Sequence, residues 1–496
     1  MYSVGNRSGI HLNMTNRIPL YVSAHGDHMS DASPEKRLSR IDKLFMDQRA
    51  ISAEQSHRSR VERGIDVVAG TDVASSFGLQ LALLTAVNLG EKCFGGTATV
   101  HGVAELWSAP CLVPLARADT LGEAISVFGG RSSTLTRTPL PNRHLLLGNA
   151  TPAGAAIRLT YDGWLVAVGP AGDLERMKER PHCALAAIAA AAIALSEVFS
   201  EFAGISISAG RRVVMHSLWR PDMGADLSSS VGKPIVELPT ELALFGLGHL
   251  GQAYLWGLAA LPFDFNERIT LLLCDDDEVE LPNIETGALL TSDDIGNLKT
   301  RVLAGWLEAR GFTTRLLERR VDAHFRRTLE EPVIALSGFD DNRARHWLAT
   351  GGFTRIFDSG LGGEEHNFDT LAFRSWPNPR ANDDIWPLES ASERETRLAR
   401  RRQRASTNAA YQSAHTDECG RLALADKSIA VPFVGAVAGC VVLAEMLKAL
   451  NGGPTFGEIR LRLSSLTSSQ PGRLLCETAP PIRGVNLQAV GGGHTD

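Results

Sequence analysis

The stretch that decides the fold of this chain is 241–261, ELALFGLGHLGQAYLWGLAAL, continued by 269–299, ITLLLCDDDEVELPNIETGALLTSDDIGNLK. The apolar run Leu242–Phe245 predicts a buried strand, and the apolar residues after the glycines predict a helix to about Leu261. Three glycines separate them, at Gly246, Gly248 and Gly251. In such a turn the first glycine makes the bend, the second lets a phosphate approach the backbone, and the third lets helix and strand pack closely. The stretch therefore predicts an α/β unit with a nucleotide site at these glycines.

Acidic residues follow the next predicted strand, Ile269–Cys274. Asp275 stands at its end, where a carboxylate accepts hydrogen bonds from a ribose hydroxyl. Asp277, Asn283 and the segment ending at Lys299 come next. A purely structural glycine turn explains none of them, so the sequence favours a nucleotide site.

The order Asp275-x-Asp277-x-Val279-x-x-x-Asn283, then Asp294-Ile-Gly296-x-x-Lys299, resembles the adenylation domain of the ubiquitin-activating and ThiF-type superfamily. Downstream, residues 337–345, SGFDDNRAR, look like the family's D-N-x-x-A-R segment, and 357–363, FDSGLGG, are similar to its following strand and glycine turn. The resemblance covers roughly residues 236–450. It implies an enzyme that uses ATP and Mg²⁺ to adenylate the C-terminal carboxylate of a protein and passes the acyl group to a cysteine.

The resemblance also implies a role for each matching residue. The nucleotide-binding residues are Gly246, Gly248, Gly251, Asp275, Asp277, Asn283 and Lys299. The catalytic residues are Lys299, as a cation on the phosphates, Asp340, and Cys419 as the thioester-forming nucleophile. Asp340 is the expected Mg²⁺ ligand, and Asp341 shares or replaces it because two acids stand where the family needs one.

One position departs from the family pattern. The family's N-L-x-R is Asn283-Ile-Glu-Thr286 here, so the arginine that clamps the triphosphate is missing. Arg301 is one candidate for its replacement. Family members also receive an arginine from the partner domain's N-terminal helix, where this chain has Arg40 and Arg49.

The first part of the chain has the same shape as the second without its chemistry. The apolar run 65–69 leads into Gly70, which aligns with Gly246, but Asp72 then stands at the place of Gly248 and Ser75 at that of Gly251. A carboxylate repels a phosphate, and the strand predicted at Thr97–His101 has no acid after it. The alanine-rich run 184–202 likewise parallels 436–450, with Glu197 over Glu445, and is predicted to be a buried helix.

These patterns predict an α/β chain of two tandem Rossmann-like, ThiF-type adenylation domains, the first degenerate and the second active. The predicted divisions are a flexible leader at 1–35, an inactive domain at 36–235 and an active domain at 236–496. The stretch 205–240 is predicted to be a bridging loop, and 364–427 a crossover-loop insertion that carries Cys419 in a polar loop. An internal pseudo-dimer of this kind needs no homodimer to complete its site.

The length, charge and cysteine content of the chain restrict its domain number, its partners and its cellular location. At 496 residues the chain exceeds a single core of about 250–300 residues. A net charge of −6 makes nucleic acid an unlikely partner, and no membrane partner is expected. Seven scattered cysteines without a CxxC pair suit a reducing cytoplasm, the predicted location, and offer no zinc spacing. The arginine-dense run 393–404 is predicted to be a solvated helix face, with an acidic docking partner as the alternative.

The predicted function is ATP-dependent activation of a ubiquitin-like protein, with the thioester passed to a separate conjugating enzyme. Within the superfamily, the chain most resembles the activating enzymes of bacterial conjugation operons linked to antiviral defence. Two alternatives stay open. One is a ThiF-type sulfur-carrier or peptide adenylyltransferase without a thioester step, and the other is a non-catalytic nucleotide-binding scaffold, which the missing arginine at Thr286 permits.

Overall fold

A computed structural model describes residues 38–96, 98–134, 140–222, 227–414, 416–466 and 482–490. The predicted leader at 1–35 lies outside the described residues, as do His415 and Cys476. The two halves of the chain are built alike.

The chain forms two seven-stranded sheets with the same strand order, β3-β2-β1-β4-β5-β6-β7 and β11-β10-β9-β12-β13-β14-β15. In each sheet the first five strands of that order are parallel, the sixth is antiparallel to the fifth, and the seventh is antiparallel to the sixth. The first sheet contains β1 Asp66–Ala69, β2 Ala98–Gly102, β3 Gly130–Thr134, β4 His144–Leu147, β5 Ala156–Asp162, β6 Leu165–Pro170 and β7 Val214–Ser217. The second contains β9 Glu241–Phe245, β10 Thr270–Cys274, β11 Thr313–Leu317, β12 Ile334–Ser337, β13 Arg355–Leu361, β14 Thr370–Trp376 and β15 Glu458–Arg462. The predicted tandem α/β layout is confirmed.

The helices of the first half are α1 Asp42–Arg49, α2 Ala53–Arg63, α3 Phe77–Phe94, α4 Ala104–Trp107, α5 Leu121–Val127, α6 Ala184–Ala203 and α7 Leu227–Ser230. Those of the second half are α8 His249–Ala259, α9 Leu281–Thr286, α10 Lys299–Glu308, α11 Asn342–Ala349, α12 Asn382–Ile385, α13 Ala391–Thr407, α14 Ala409–Gln412, α15 Glu418–Asp426 and α16 Pro432–Leu450. A short antiparallel pair, β8 Glu237–Pro239 with β16 Leu487–Ala489, lies outside both sheets.

Four of these helices meet where the halves join. The last helices of the two halves, α6 and α16, pack against each other, with α3 and α8 beside them. By length and composition α6 and α16 pass the test for a membrane span, but 89% of each is buried inside the protein. Small residues allow the close packing: a Cβ on Gly439 would lie 3.0 Å from Ala253 within the second half, and one on Gly257 would lie 3.2 Å from Leu185 of the first half. The pseudo-twofold join is therefore a continuous apolar core.

A buried glutamate repeats at the end of both last helices. The carboxylate of Glu197 accepts from Gly210 N (2.7 Å) and from Arg212 (2.9 Å), just before β7. That of Glu445 accepts from Phe456 N (2.9 Å) and from Lys448 (2.5 Å), just before β15. Each carboxylate thus satisfies the backbone that leads back into its sheet, so the predicted repeat is present in structure as well as in sequence.

Two predicted segments differ from what the structure contains. The predicted bridging loop 205–240 holds β7, the last strand of the first sheet, as well as α7 and β8. The predicted insertion 364–427 holds β14, so the part outside the sheet is 377–431, which we call the crossover segment. Its counterpart in the first half, 171–183, is far shorter. The crossover segment is largely helical, with α12 to α15. The helix predicted at 393–404 is present within α13, whereas α15 lies where a polar loop was predicted around Cys419.

Candidate functional site

The glycine turn after β9 has the geometry that a phosphate site needs. Gly246 has φ +79°, a left-handed conformation that favours glycine. A Cβ on Gly248 would meet nothing within 4 Å, so space is open at this position. A Cβ on Gly251 would lie 2.2 Å from the carbonyl oxygen of Gly246, which makes glycine necessary for the packing of α8. The three predicted glycines therefore make the bend, the open approach and the close contact in that order.

Asp275 braces this turn from the end of β10. Its Oδ2 accepts from Leu247 N at 2.6 Å, and its Oδ1 accepts from Asp277 N at 2.8 Å. Burial raises the pKa of Asp275, while the nearby Lys299 ammonium and these two N–H groups oppose the rise. Lys299, the first residue of α10, is buried with its Nζ 2.8 Å from Asp277 Oδ2 and 3.9 Å from Asp275 Oδ1. The predicted lysine and the two acids are one cluster beside the turn.

The side chains of Asn283 and Thr286 form hydrogen bonds within their own helix, α9. Asn283 Oδ1 accepts from Glu280 N (2.8 Å) in a capping box at the start of α9. Thr286 is buried, and its hydroxyl donates to the carbonyl oxygen of Pro282 (3.1 Å). No cation therefore comes from position 286.

Polar side chains hold the segment 284–290 from both halves. In the first half, Lys92 Nζ donates to the carbonyl oxygens of Ile284 (2.6 Å) and Leu290 (3.3 Å), and Asn88 donates to that of Ala288 (2.8 Å). In α8, Gln252 Oε1 accepts from the backbone N–H groups of Leu289 and Leu290. Sequence reasoning identified none of Lys92, Asn88 and Gln252. A buried lysine in the apolar pattern of α3 was the one available signal.

Asp340 and Asp341 follow β12 and are both exposed, but they differ in the hydrogen bonds that they accept. Asp341 caps α11 by accepting from Arg343 N (2.9 Å). Among the described residues, none donates a hydrogen bond to Asp340, whose carboxylate is therefore available. Arg345 fixes this loop, since it donates to the carbonyl oxygen of Phe339 and to Asp358 Oδ1 (2.9 Å).

The three candidate arginines go to different places. Arg40 Nη1 crosses to the second half and donates to Ser428 O (3.2 Å) and Oγ (3.3 Å). Burial lowers the pKa of Arg40, and the carboxylates of Glu280 and Asp340 act in the opposite direction, which places its guanidinium in their field. Arg49 instead donates to Phe202 O (3.0 Å) within its own half, over the ring of Phe45. Arg301 forms a two-pronged ion pair with Glu318 (2.8 and 3.0 Å) on the surface.

Cys419 lies in the first turn of α15 and is exposed. Asp417 caps this helix by accepting from Gly420 N (2.8 Å). The prediction of a polar loop at Cys419 is wrong in conformation, because the capping aspartate starts a helix two residues earlier. The other described cysteines are buried or half-buried, including Cys274 and Cys440 as predicted.

The crossover segment is fastened to α1 of the first half. Tyr411 Oη donates to Asp47 Oδ1 (2.6 Å) and accepts from Lys43 Nζ (3.0 Å), and all three side chains are buried. Arg404 adds contacts to Asp47 (3.1 Å) and Glu365 (2.7 Å). The arginine-rich helix α13 is thus engaged by acids on one face rather than fully solvated.

The turn after β1 differs from the turn after β9. Asp72 fills it: Oδ2 pairs with Arg176 at 2.6 Å, and Oδ1 accepts from Asn149 N at 3.0 Å. The residue three positions past β4 is Ala150, whereas the one three positions past β12 is Asp340. The first half therefore has neither the open turn nor the free carboxylate.

A doubled α/β chain with an open glycine turn, a lysine–carboxylate cluster and a crossover segment bearing an exposed cysteine has the layout of the adenylation-domain class. Residues 64–218 match the family described as BilD N-terminal domain, and residues 238–453 match the BilD C-terminal domain. A curated relative, the bacterial E1-like protein BilD of Collimonas sp. (strain OK412), is 35% identical over 457 residues, which cover 90% of this chain and 94% of the relative. The chain belongs to the BilD family of bacterial E1-like proteins.

Solved structures show more distant likenesses. E. coli MccB is 14% identical with a TM-score of 0.29, over 51% of this chain and 62% of MccB, which is less than two thirds of that protein. TcdA (CsdL) is 15% identical with a TM-score of 0.27, over 42% of this chain and 84% of TcdA. Scores this low carry no weight for function.

Proposed function

We propose that the chain activates a ubiquitin-like protein by adenylating its C-terminal carboxylate in the second half and then forming a thioester on Cys419. The observation that carries the proposal is the asymmetry between two halves of one topology. The second half has an open turn, a free Asp340 and an arginine received from the first half. The first half, by this proposal, is degenerate and serves as scaffold.

The residues of the second half suit ATP and Mg²⁺. The space over Gly248 and the N-terminus of α8 offer room and N–H groups to phosphate oxygens. Lys299 supplies positive charge, and Asp275 at the strand end has the position of a ribose acceptor. Asp340, exposed and free of described donors, suits a metal that takes one or two carboxylates with phosphate oxygens, and Asp341 contributes only if it leaves its capping role. A bound Mg²⁺ would neutralise phosphate charge.

Arg40 replaces the arginine that the family has at position 286. Its guanidinium lies in the field of Glu280 and Asp340, and a fork of N–H donors suits phosphate oxygens. Its contact with Ser428 also ties it to the end of the crossover segment. The site is completed within one chain, so no homodimer is required.

The reaction has two transfers. A carboxylate oxygen of the ubiquitin-like protein bonds to the α-phosphorus of ATP, the bond from that phosphorus to the bridging oxygen breaks, and pyrophosphate leaves with the electron pair. The Cys419 thiolate then attacks the acyl carbon, and AMP leaves as the thioester forms. A separate conjugating enzyme accepts the acyl group. We propose that this chemistry takes place in the reducing cytoplasm and serves a conjugation operon linked to antiviral defence, a proposal that the family resemblance supports.

The test combines purified enzyme, Mg·ATP and the ubiquitin-like protein encoded nearest to it, with Cys419→Ala and Asp340→Asn alongside. A non-reducing gel follows a thiol-sensitive adduct, and pyrophosphate exchange follows adenylation. We expect Cys419→Ala to lose the adduct and keep exchange within about threefold, and Asp340→Asn to lose both by about a thousandfold.

Each other outcome contradicts a stated part of the proposal. An adduct that survives Cys419→Ala removes that cysteine from its role. Exchange without any adduct in the wild type would make the chain a ThiF-type adenylyltransferase. The absence of all ATP turnover would leave a nucleotide-binding scaffold, the reading that Thr286 permits.

A further inference from the structure

The guanidinium of Arg374, on β14, has no hydrogen-bond acceptor among the described residues. The side chain is half-buried, and its Nε is buried without a partner. A buried donor without an acceptor is destabilising, so a group of this kind calls for an explanation. Burial lowers the pKa of Arg374, and the carboxylate of Asp358 is the first of the charges that oppose this.

The two carboxylates nearest to Arg374 are already engaged. Asp358 on β13 and Glu458 on β15 lie directly across from Arg374 in register. Asp358 accepts from Ser337 Oγ (2.7 Å), Arg345 (2.9 Å) and Trp386 (3.0 Å). Glu458 accepts from Arg380 (2.9 Å) and Arg460 (2.7 Å). Three other guanidinium groups, those of Arg345, Arg380 and Arg460, thus occupy these two carboxylates, and the positive charge of Arg374 is left without a hydrogen-bonded partner among the described residues.

The sheet face around Arg374 carries small side chains and leaves space above them. Next along the same face the register places Gly360, Ala372 and Arg460 side by side. A Cβ on Gly360 would lie 3.4 Å from Arg345 and 3.6 Å from Arg374, both at ordinary contact distance. Ala372 is half-buried and Arg460 is exposed. Two small residues between two arginines leave room for an extended segment of another protein.

This face lies beside the proposed adenylation site but away from its phosphates. Arg345, which contacts the Gly360 region, also holds the carbonyl of Phe339, the residue before Asp340. In the sheet order β9-β12-β13-β14, the strand of Arg374 is three strands from the glycine turn, a separation of about 14 Å at 4.8 Å per strand. The acceptor that Arg374 lacks is therefore better supplied by a protein ligand than by the nucleotide.

We propose that Arg374, with Arg460 beside it, binds a carboxylate side chain near the C-terminus of the protein that the chain activates, as that segment crosses Gly360 and Ala372. This recognition site rests on the proposed function for the identity of its ligand. The pairing of a guanidinium with a carboxylate is direct and charge-assisted.

The first test traps small peptides at the site and needs no catalysis. Ala372→Cys, made in a Cys419→Ser background, places a thiol on the same sheet face as Arg374. The probes are disulfide-activated heptapeptides of glycine and serine that carry one Glu. Matched probes carry one Gln instead. Peptide mapping by mass spectrometry measures equilibrium capture at the introduced thiol. We expect Glu peptides to be captured about fivefold or more over Gln peptides, and Arg374→Gln to reduce that ratio to about one. The matched control Arg315→Gln, on β11, keeps the ratio.

The second test uses the ubiquitin-like protein encoded nearest to the enzyme at limiting concentration. Arg374→Glu is expected to slow adduct formation about tenfold or more with unchanged Mg·ATP affinity, and one acid→Lys exchange in the ubiquitin-like protein is expected to restore it. Equal capture of Glu and Gln peptides by the wild type overturns the recognition site even if adducts form normally. An Arg374-dependent Glu preference without any adduct supports the recognition site and defeats the proposed function.

Discussion

The two halves of the molecule have one topology and different strand ends. Both sheets share their order and directions, and both last helices carry a buried glutamate that holds the returning backbone. The two halves differ in the turns that follow β1 and β9. Gly248 leaves open space in the turn after β9, whereas Asp72 fills the corresponding turn after β1 and forms an ion pair with Arg176. Packing requires hundreds of contacts and resists change, whereas phosphate chemistry depends on a few residues at loop positions.

The largest effect is expected where the two glutamates differ in their partners. Glu445→Gln leaves the fully buried Lys448 ammonium without its carboxylate, so the free energy of unfolding should fall by about 3–5 kcal/mol. Glu197→Gln should cost only about 1–2 kcal/mol, because Arg212 is partly exposed and also donates to Leu463 O and Ser464 O. Urea denaturation of both variants measures the difference. Equal losses would show that the repeated glutamates are equivalent after all.

The open turn after β9 can be tested by adding a methyl group at Gly248. Gly248→Ala adds a Cβ that meets nothing within 4 Å, so stability should change by less than about 1 kcal/mol. By the proposed function the methyl group would occupy the place of a phosphate, so ATP affinity should fall about tenfold or more. Calorimetric titration with Mg·ATP measures it.

The matched change in the first half is Asp72→Ala, which removes the half-exposed ion pair to Arg176. It should cost about 1 kcal/mol at most and add no second nucleotide, because the residue directly after β2 is Val103 and not an acid. A stoichiometry of two nucleotides per chain in this variant would show that Asp72 alone separates the halves.

The arginine that crosses between the halves is the next point of comparison. Arg40→Ala should slow pyrophosphate exchange about tenfold to a hundredfold, because a cation in the electrostatic field of Asp340 and Glu280 is lost. Arg49→Ala, the control from the same helical region, should leave exchange within about twofold, since Arg49 bonds to Phe202 O in its own half. If neither variant changes exchange, the first half supplies no cation to the reaction.

The last comparison concerns a pH dependence that both halves share. Burial lowers the pKa of His216, on β7, and of His249, in the glycine turn, to about 4. Between about 4 and the ordinary 6.5 the unfolded chain binds more protons, so this stability is complete above about 6.5 and is lost as the pH falls towards 4.

The expected slope is about 1 kcal/mol per pH unit for each histidine, and His216→Asn and His249→Asn should each flatten it. Urea denaturation at pH 7, 6 and 5 measures the slope. If the two variants shift separate transitions, the halves unfold independently; one shared transition is expected from the apolar join of α6 and α16.

Much of the fold was readable from local patterns. The run 242–245 with its glycines predicted β9, the turn and α8 within a few residues, and the parallel alignment of 184–202 with 436–450 predicted α6 and α16. Short-range periodicity and the chemistry of glycine are sufficient for such elements. Strand β14 was missed because its alternation is short: Leu371 and Phe373 are its two buried apolar positions, and Ser375 ends the pattern.

The site was less readable because its parts are distant in sequence. The lysine–carboxylate cluster of Asp275, Asp277 and Lys299 follows from spacing in one unit. The contact of Arg40 with Ser428, and that of Lys92 with Ile284, join residues far apart in the chain, and a single sequence carries no signal for such pairs. The helix at Cys419 was a local error: Asp417 is a good N-cap, and Leu422 and Leu424 continue the helical pattern.

The fastening of the crossover segment to α1 has a consequence for how such a protein can evolve. In a symmetric pair of identical chains, any mutation appears in both copies, so a disabled turn in one is a disabled turn in the other. Once the two copies are joined in one chain, their sequences change independently. The contact of Tyr411 then requires Asp47 in the first half alone, and Asp72 can fill the turn of the first half while the turn of the second half stays open. The fused chain escapes the constraint of identity, and each copy is free to specialise.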